Sequence, residues 1–186
     1  MNFTIVGYFG YNLSSHERFK LIKESGFNGV SGLLWQNDFD SDYQLFPNMQ
    51  MTTIYLSKRC TRHIAGLMMH GLIMKVDVIF SDIQSKRLGF CFDSGHWNIF
   101  MQNTDLLTLY GDRFMALHLH DNDGCEDWHA LPLSGNINWN DITDKLKALH
   151  YNGAISLEVG NRGFDEIKEP SEFLQIALER AKKIFC

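Results

Sequence analysis

Short apolar runs separated by amphipathic stretches set the rhythm of this chain. Phe3 to Tyr8 is apolar and short, as expected for a buried strand. Ser14 follows as a helix cap, with Glu17 three residues on completing a capping box, and Gly26 suits the residue just past the helix end. Gly29 to Trp35 is a second apolar run. Toward the C-terminus the same order returns. Leu88 to Phe92, Phe114 to Leu119 and Ala154 to Leu157 are expected strands. Helices are expected from about Thr104 to Tyr110, closed by Gly111, and from about Asp141 to His150, with Ile142, Leu146 and Leu149 on one face. A last helix should begin near Pro170, since proline is favoured in a first turn. Its apolar residues Phe173, Leu174, Ala177, Leu178, Ala181, Ile184 and Phe185 fall three or four apart.

Strand followed by helix, repeated, implies a parallel sheet with helices outside it. The middle breaks the rhythm. Residues 39–51 are polar and aromatic and read as loop. Residues 64–83 are apolar with mixed period, fitting one helix or a strand and a helix. No internal repeat or linker divides the chain, so a single domain over residues 1–186 is expected.

Composition narrows the picture. The chain has 186 residues, 45% hydrophobic and 21% charged, enough for one real core. The formal net charge of −5 and the absence of a basic stripe give nucleic-acid binding no support. Cys60, Cys91, Cys125 and Cys186 are widely spaced without a CxxC pair, as expected of reduced thiols. The first residues lack the basic region and cleavage site of a signal peptide, and no apolar run reaches the roughly 18 residues of a membrane span. A cytoplasmic protein without a membrane partner is the expectation.

The chemistry gathers at the strand ends. In parallel α/β folds, functional groups sit at the C-terminal ends of strands. Asp93 follows one expected strand, His118 lies near the end of the next, and Glu158 follows the last. Successive units would thus present carboxylate, imidazole and carboxylate to one face, a mixed oxygen and nitrogen set suited to a divalent cation. His96, His120, Asp127 and His129 lie close by in sequence. Each also has an ordinary reading: His118 as a hydrogen-bonded core histidine, Asp121-Asn122-Asp123-Gly124 as a turn, Glu158 as a partner for Arg162, Asp127 and His129 as solvated loop residues.

The stretches 88–96 (LGFCFDSGH), 117–122 (LHLHDN), 127–129 (DWH), 135–139 (GNINW) and 156–158 (SLE) resemble the xylose isomerase-like (β/α)₈ barrels. That superfamily includes sugar phosphate isomerases and epimerases and apurinic endonucleases of the endonuclease IV type, and the sugar branch is the nearer likeness. The resemblance implies Asp93, His118 and Glu158 as metal ligands, His96 as a substrate-side group or second-site ligand, and Asp127 and His129, with His120, as an additional metal or substrate group. It implies Mn²⁺, Mg²⁺, Co²⁺ or Zn²⁺ as cofactor and a sugar or sugar phosphate as substrate. The implied reaction is proton abstraction beside a carbonyl, with Glu158 and His96 as catalytic groups and a metal-stabilised enediolate as intermediate.

The sequence departs from that pattern in its middle. A complete barrel has eight strands and about 250 residues. Here residues 36–87 alone fill the space of several units, so an incomplete barrel of five or six strands is expected. No glutamate lies between Glu24 and Glu126, so the family's mid-barrel metal-binding glutamate has no counterpart. His63 and His70 lie in that region without a matching motif. Pairing with a second copy would complete the barrel. Three classes stay open: a metal-dependent sugar isomerase or epimerase, an apurinic endonuclease-like phosphodiesterase, and a non-catalytic remnant or binding protein.

Overall fold

The computed structural model describes residues 1–31, 76–86 and 88–186. The end of the second expected strand, the loop at 39–51, most of the run at 64–83, His63, His70 and Cys60 lie outside the described residues.

The described residues form an α/β structure with parallel strands. The strands are β1 (Phe3–Val6), β2 (Gly29–Ser31), β3 (Phe90–Asp93), β4 (Phe114–His118) and β5 (Ile155–Leu157). The helices are α1 (Ser15–Glu24), α2 (Ser94–Phe100), α3 (Leu106–Leu109), α4 (Trp139–Ala148) and α5 (Pro170–Phe185), with a further helical segment at 76–82. β1 pairs in parallel with β2 on one side and β5 on the other, and β3 pairs in parallel with β4. A parallel bridge between Leu119 and Leu157 joins the two groups, through Leu119 N–H to the Ser156 carbonyl (2.9 Å) and Glu158 N–H to the Leu119 carbonyl (3.0 Å). The order across the described residues is therefore β2-β1-β5-β4-β3.

This order explains the burial. β5 lies between β1 and β4 and is buried at all three positions, as a strand covered on both faces must be. Ile155 and Leu157 meet Phe3, Ile5, Leu117 and Leu119 in one core. α5 closes over it with Phe173, Leu174, Ala177, Leu178, Ala181 and Phe185, the face its periodicity specifies. Small alanines at 177 and 181 allow close approach of that helix. α1 begins with the expected capping box: the Ser14 hydroxyl accepts from Glu17 N–H, and the Glu17 carboxylate accepts from Ser14 N–H. Gly26 takes φ +92° beyond it, a conformation that favours glycine. α4 buries Ile142 and Leu146, with Leu149 packed partly against the core.

Two corrections concern the expected elements. The expected strand Leu88 to Phe92 is displaced to Phe90–Asp93, and helix α2 follows it at once. Sequence pattern pointed only to a helix after Thr104, which is the single turn α3. The reason is local: Asp93 is at once the last residue of β3 and the cap of α2, and its side chain accepts the His96 N–H at 2.8 Å. Cys91, Cys125 and Cys186 are free thiols. Among the described residues no helix is long and apolar enough to cross a membrane.

Candidate metal centre

Asp93 and His118 are register partners at the ends of β3 and β4. Glu158 leaves the end of β5, held by the backbone bond to Leu119. Parallel pairing thus delivers all three side chains to one edge. Each offers a ligand atom within 4.8 Å of the others. Two more groups of the same compactness share members with the first: Asp93, His96 and His120, and His120, His129 and Glu158. All seven residues picked out by sequence come together here.

His118 and His120 are two apart along an extended chain and so point the same way. His118 Nδ1 lies 2.8 Å from Glu158 Oε2, with both side chains buried. His120 Nε2 lies 3.1 Å from Asp93 Oδ1. On α2, three residues beyond Asp93, His96 Nδ1 reaches back to Asp93 Oδ2 at 2.8 Å.

The loop after β4 returns to the site because Asp121 and Ala130 exchange backbone hydrogen bonds of 2.9 and 3.1 Å. His129 adopts φ +48°, turning its ring inward. Its Nδ1–H donates to the Glu158 carbonyl at 2.9 Å, which directs Nε2 to Asp127 Oδ2 at 3.3 Å. His96 Nε2 meets the same oxygen at 3.3 Å. The rings of His120 and His129 stack, 4.1 Å between centroids and 7° from parallel.

Electrostatics follow from this packing. Burial alone would raise the Asp93 carboxyl, but the His120 ring and His96 outweigh it and hold Asp93 well below the usual range. Asp127 is likewise held low against burial by His129 and His96. Burial disfavours charge on His96, yet hydrogen bonds to Asp127 and Asp93 push it up to about 11. The same opposition, won by Asp127 and Glu158, pushes His129 up to about 9. His118 is raised by Glu158 despite its burial. Without a cation, the imidazoles neutralise the carboxylates by holding protons. The donor chemistry fits a divalent cation, which would replace those protons. Within this cluster, His120 Nδ1 is a buried nitrogen without a hydrogen-bond partner among the described residues.

Residues 121–124 do turn, with Gly124 N–H donating to Asn122 Oδ1 at 2.9 Å and Gly124 at φ +79°, but Asp121 and Asn122 are fully buried rather than solvated. Asp121 accepts from the backbone of Asn122 and Ile137 and from Trp139 Nε1 at 3.0 Å. Asn122 donates to the Gly95 carbonyl and accepts from Asn98. Nor does Glu158 serve Arg162, which instead lies 3.8 Å from Glu126 on the surface. Sequence reasoning missed Ser94, Gly95, Asn98 and Trp139 as the frame of the site. The available signal was Asp93 as a helix cap, which places the Ser-Gly-His stretch on a first helical turn.

The family model of the xylose isomerase-like TIM barrel matches residues 71–183. The uncharacterized protein y4fM of Sinorhizobium fredii is 38% identical over 81 residues, 43% of this chain and 26% of that protein. The uncharacterized protein MJ1311 of Methanocaldococcus jannaschii is 36% identical over 104 residues, 54% of this chain and 35% of that protein. The matches therefore span about a third or less of those relatives' lengths. Among solved structures, an IolI protein with a zinc atom shares 16% identity at a TM-score of 0.48. A D-tagatose 3-epimerase-like protein shares 34% at 0.39; each comparison covers 60% of this chain and 42% of the other. The family match covers more than half of the chain, which belongs to the xylose isomerase-like TIM barrel family.

Proposed function

We propose that this chain is a divalent-metal-dependent sugar or sugar phosphate isomerase or epimerase, acting by proton abstraction beside a carbonyl. The observation that carries the reading is the convergence of Asp93, His118 and Glu158 from three adjacent parallel strands, each within 4.8 Å of the others, in a xylose isomerase-like barrel. These three residues would hold the cation. When bound, it supplies polarisation of neighbouring carbonyl and hydroxyl oxygens. Glu158 takes the proton from the carbon beside the carbonyl. His96, between Asp93 and Asp127 and one-quarter exposed, returns a proton from the other side. The pair is carboxylate and imidazole, since the chain has no glutamate between Glu24 and Glu126.

The test is solvent exchange. The purified chain, supplied in turn with Mn²⁺, Mg²⁺, Co²⁺ and Zn²⁺, is incubated with ketoses and ketose phosphates in D₂O and followed by proton NMR. Deuterium should enter at the carbon next to the carbonyl, and Glu158→Gln should abolish the entry. Cation binding without exchange on any of these sugars would leave the non-catalytic reading in its place.

One observation favours a second reading. His96 and His129 converge on a single oxygen of Asp127, both at 3.3 Å, an arrangement able to take a further cation and serve phosphodiester cleavage. Incision of DNA bearing an abasic site would select it. The net charge of −5 weighs against a DNA substrate.

A further inference from the structure

His120 belongs to two of the three donor groups, yet its bonding sets it apart. The ring is fully buried. The Ser94 hydroxyl donates to the His120 carbonyl at 2.7 Å and accepts from His120 N–H at 2.9 Å, clamping its backbone to α2. A Cβ at Gly95 would lie 1.9 Å from His120 Cε1, so the ring occupies the space a side chain would need. His129 covers a face of the ring.

The two ring nitrogens meet opposite surroundings. Nε2 faces Asp93 Oδ1 at 3.1 Å and Asp127 Oδ1 at 3.9 Å. Nδ1 is buried without a hydrogen-bond partner among the described residues. A proton on Nε2 is used by a carboxylate, whereas a proton on Nδ1 would be a buried donor without an acceptor. Asp93 Oδ1 also accepts His96 N–H at 2.8 Å, so two donors fill that oxygen. Asp93 Oδ2 meets only His96 Nδ1 among the contacts above.

We propose that His120 is a positioning residue rather than a ligand: its Nε2–H fixes Oδ1 of Asp93, so that Oδ2 is the oxygen offered to the cation. This rests on the cation-binding part of the proposed function and assigns a role within it. Carboxylates that bind metals are themselves held by hydrogen bonds, and loss of such a hold typically weakens metal affinity about 10- to 100-fold.

Co²⁺ titration, followed by calorimetry and visible absorption, tests the role with two substitutions. His120→Phe keeps a stacked ring without a donor. His120→Gln places an amide N–H near the position of Nε2. H120F should bind Co²⁺ at least about 10-fold more weakly. H120Q should bind more nearly as the wild type does, with the wild-type absorption band, because the coordinating atoms are unchanged. Gly95→Ala, whose Cβ would press on the ring at Cε1, Nδ1 and Nε2 while leaving the imidazole itself in place, should weaken binding as H120F does; thermal melts establish that each variant folds. Wild-type affinity in H120F overturns the proposal, as does H120Q as weak as H120F with an altered band. Failure of the wild type to bind any Co²⁺ overturns the functional reading and this role together.

Discussion

His118 Nδ1 sits 2.8 Å from Glu158 Oε2, and neither side chain reaches solvent to more than 6%. An imidazole and a carboxylate so placed satisfy each other without a cation and present nitrogen and oxygen donors to one. Replacing the carboxylate changes both states. With Glu158→Gln, the charge that raises His118 against its burial is gone, so His118 should titrate at lower pH than in the wild type. Histidine titration by NMR on cation-free protein reads this directly. Cation affinity should fall by more than the roughly 100-fold upper range seen for supporting residues, because a direct ligand is lost. An unchanged His118 titration would mean that the pair does not govern that proton.

Protons and cations compete for the same atoms, which gives the pH dependence two signs. His129 is raised to about 9 and His96 to about 11. Groups raised in the folded state stabilise it fully below their unfolded value, near 6.5, and lose that contribution as pH rises through the folded value. Asp127, held low, contributes above its unfolded value and loses this as pH falls. Cation-free stability should therefore decline from about pH 6.5 upward, first through His129 near 9 and then through His96. Cation affinity should also rise with pH, since His118, raised by Glu158, must shed its proton to bind and loss of charge on His129 and His96 removes repulsion of the cation. Urea denaturation at several pH values, with Asp127→Asn flattening the alkaline slope, checks the first sign. Calorimetry in buffers of different ionisation enthalpy checks the second by counting protons released.

Among the described residues, the buried Asp121 side chain is held by neutral N–H groups. It accepts from Asn122, Ile137 and Trp139, using both oxygens. Asp121→Asn turns an N–H group toward at least one of these donors, leaving buried groups unmatched at a cost of about 1–3 kcal/mol. Trp139→Phe should cost less, removing one donor while keeping most of the apolar packing. Both are read by equilibrium denaturation. A neutral D121N would show that the loop does not depend on this anchor.

Much of this was legible in the chain itself. The gathering of Asp93, His118 and Glu158 could be read because parallel strands place their C-terminal ends together, so successive apolar runs followed by these residues pointed to one edge. α5 could be read because its apolar residues repeat with helical spacing. α2 could not: Ser94-Gly95-His96-Trp97 has weak helix formers, and its start depends on Asp93 acting as a cap. The burial of Asp121 and Asn122 was hidden for a related reason. Asp-Asn-Asp-Gly has the composition of an exposed turn, and only contacts to Gly95, Asn98 and Trp139, far along the chain, reverse that expectation. The convergence of Asp127 and His129 likewise depends on the Asp121–Ala130 bridge and the positive φ of His129, neither of which local sequence specifies.

Gly135 tests whether that loop is held by close backbone contact. A Cβ there would lie 2.0 Å from the Asn122 carbonyl oxygen and 2.4 Å from Asp121 Oδ1. Neither atom can yield easily, since Asn122 C=O accepts Asn136 N–H and Asp121 Oδ1 accepts two backbone N–H groups. Gly135→Ala must therefore push the 135–138 segment away from 121–122, loosening the Asp121–Trp139 bond. Overpacking of this kind costs about 1–3 kcal/mol. Because the same loop carries Asp127 and His129, the displacement should also weaken their approach to His96. Cation-free G135A should then show a lower denaturation midpoint and His129 titrating closer to its ordinary value, while His118, held by Glu158 on the neighbouring strand, keeps its wild-type titration. Equal shifts at His118 and His129 would instead mean general loosening of the core, and the loop would not be an independently supported part of the site.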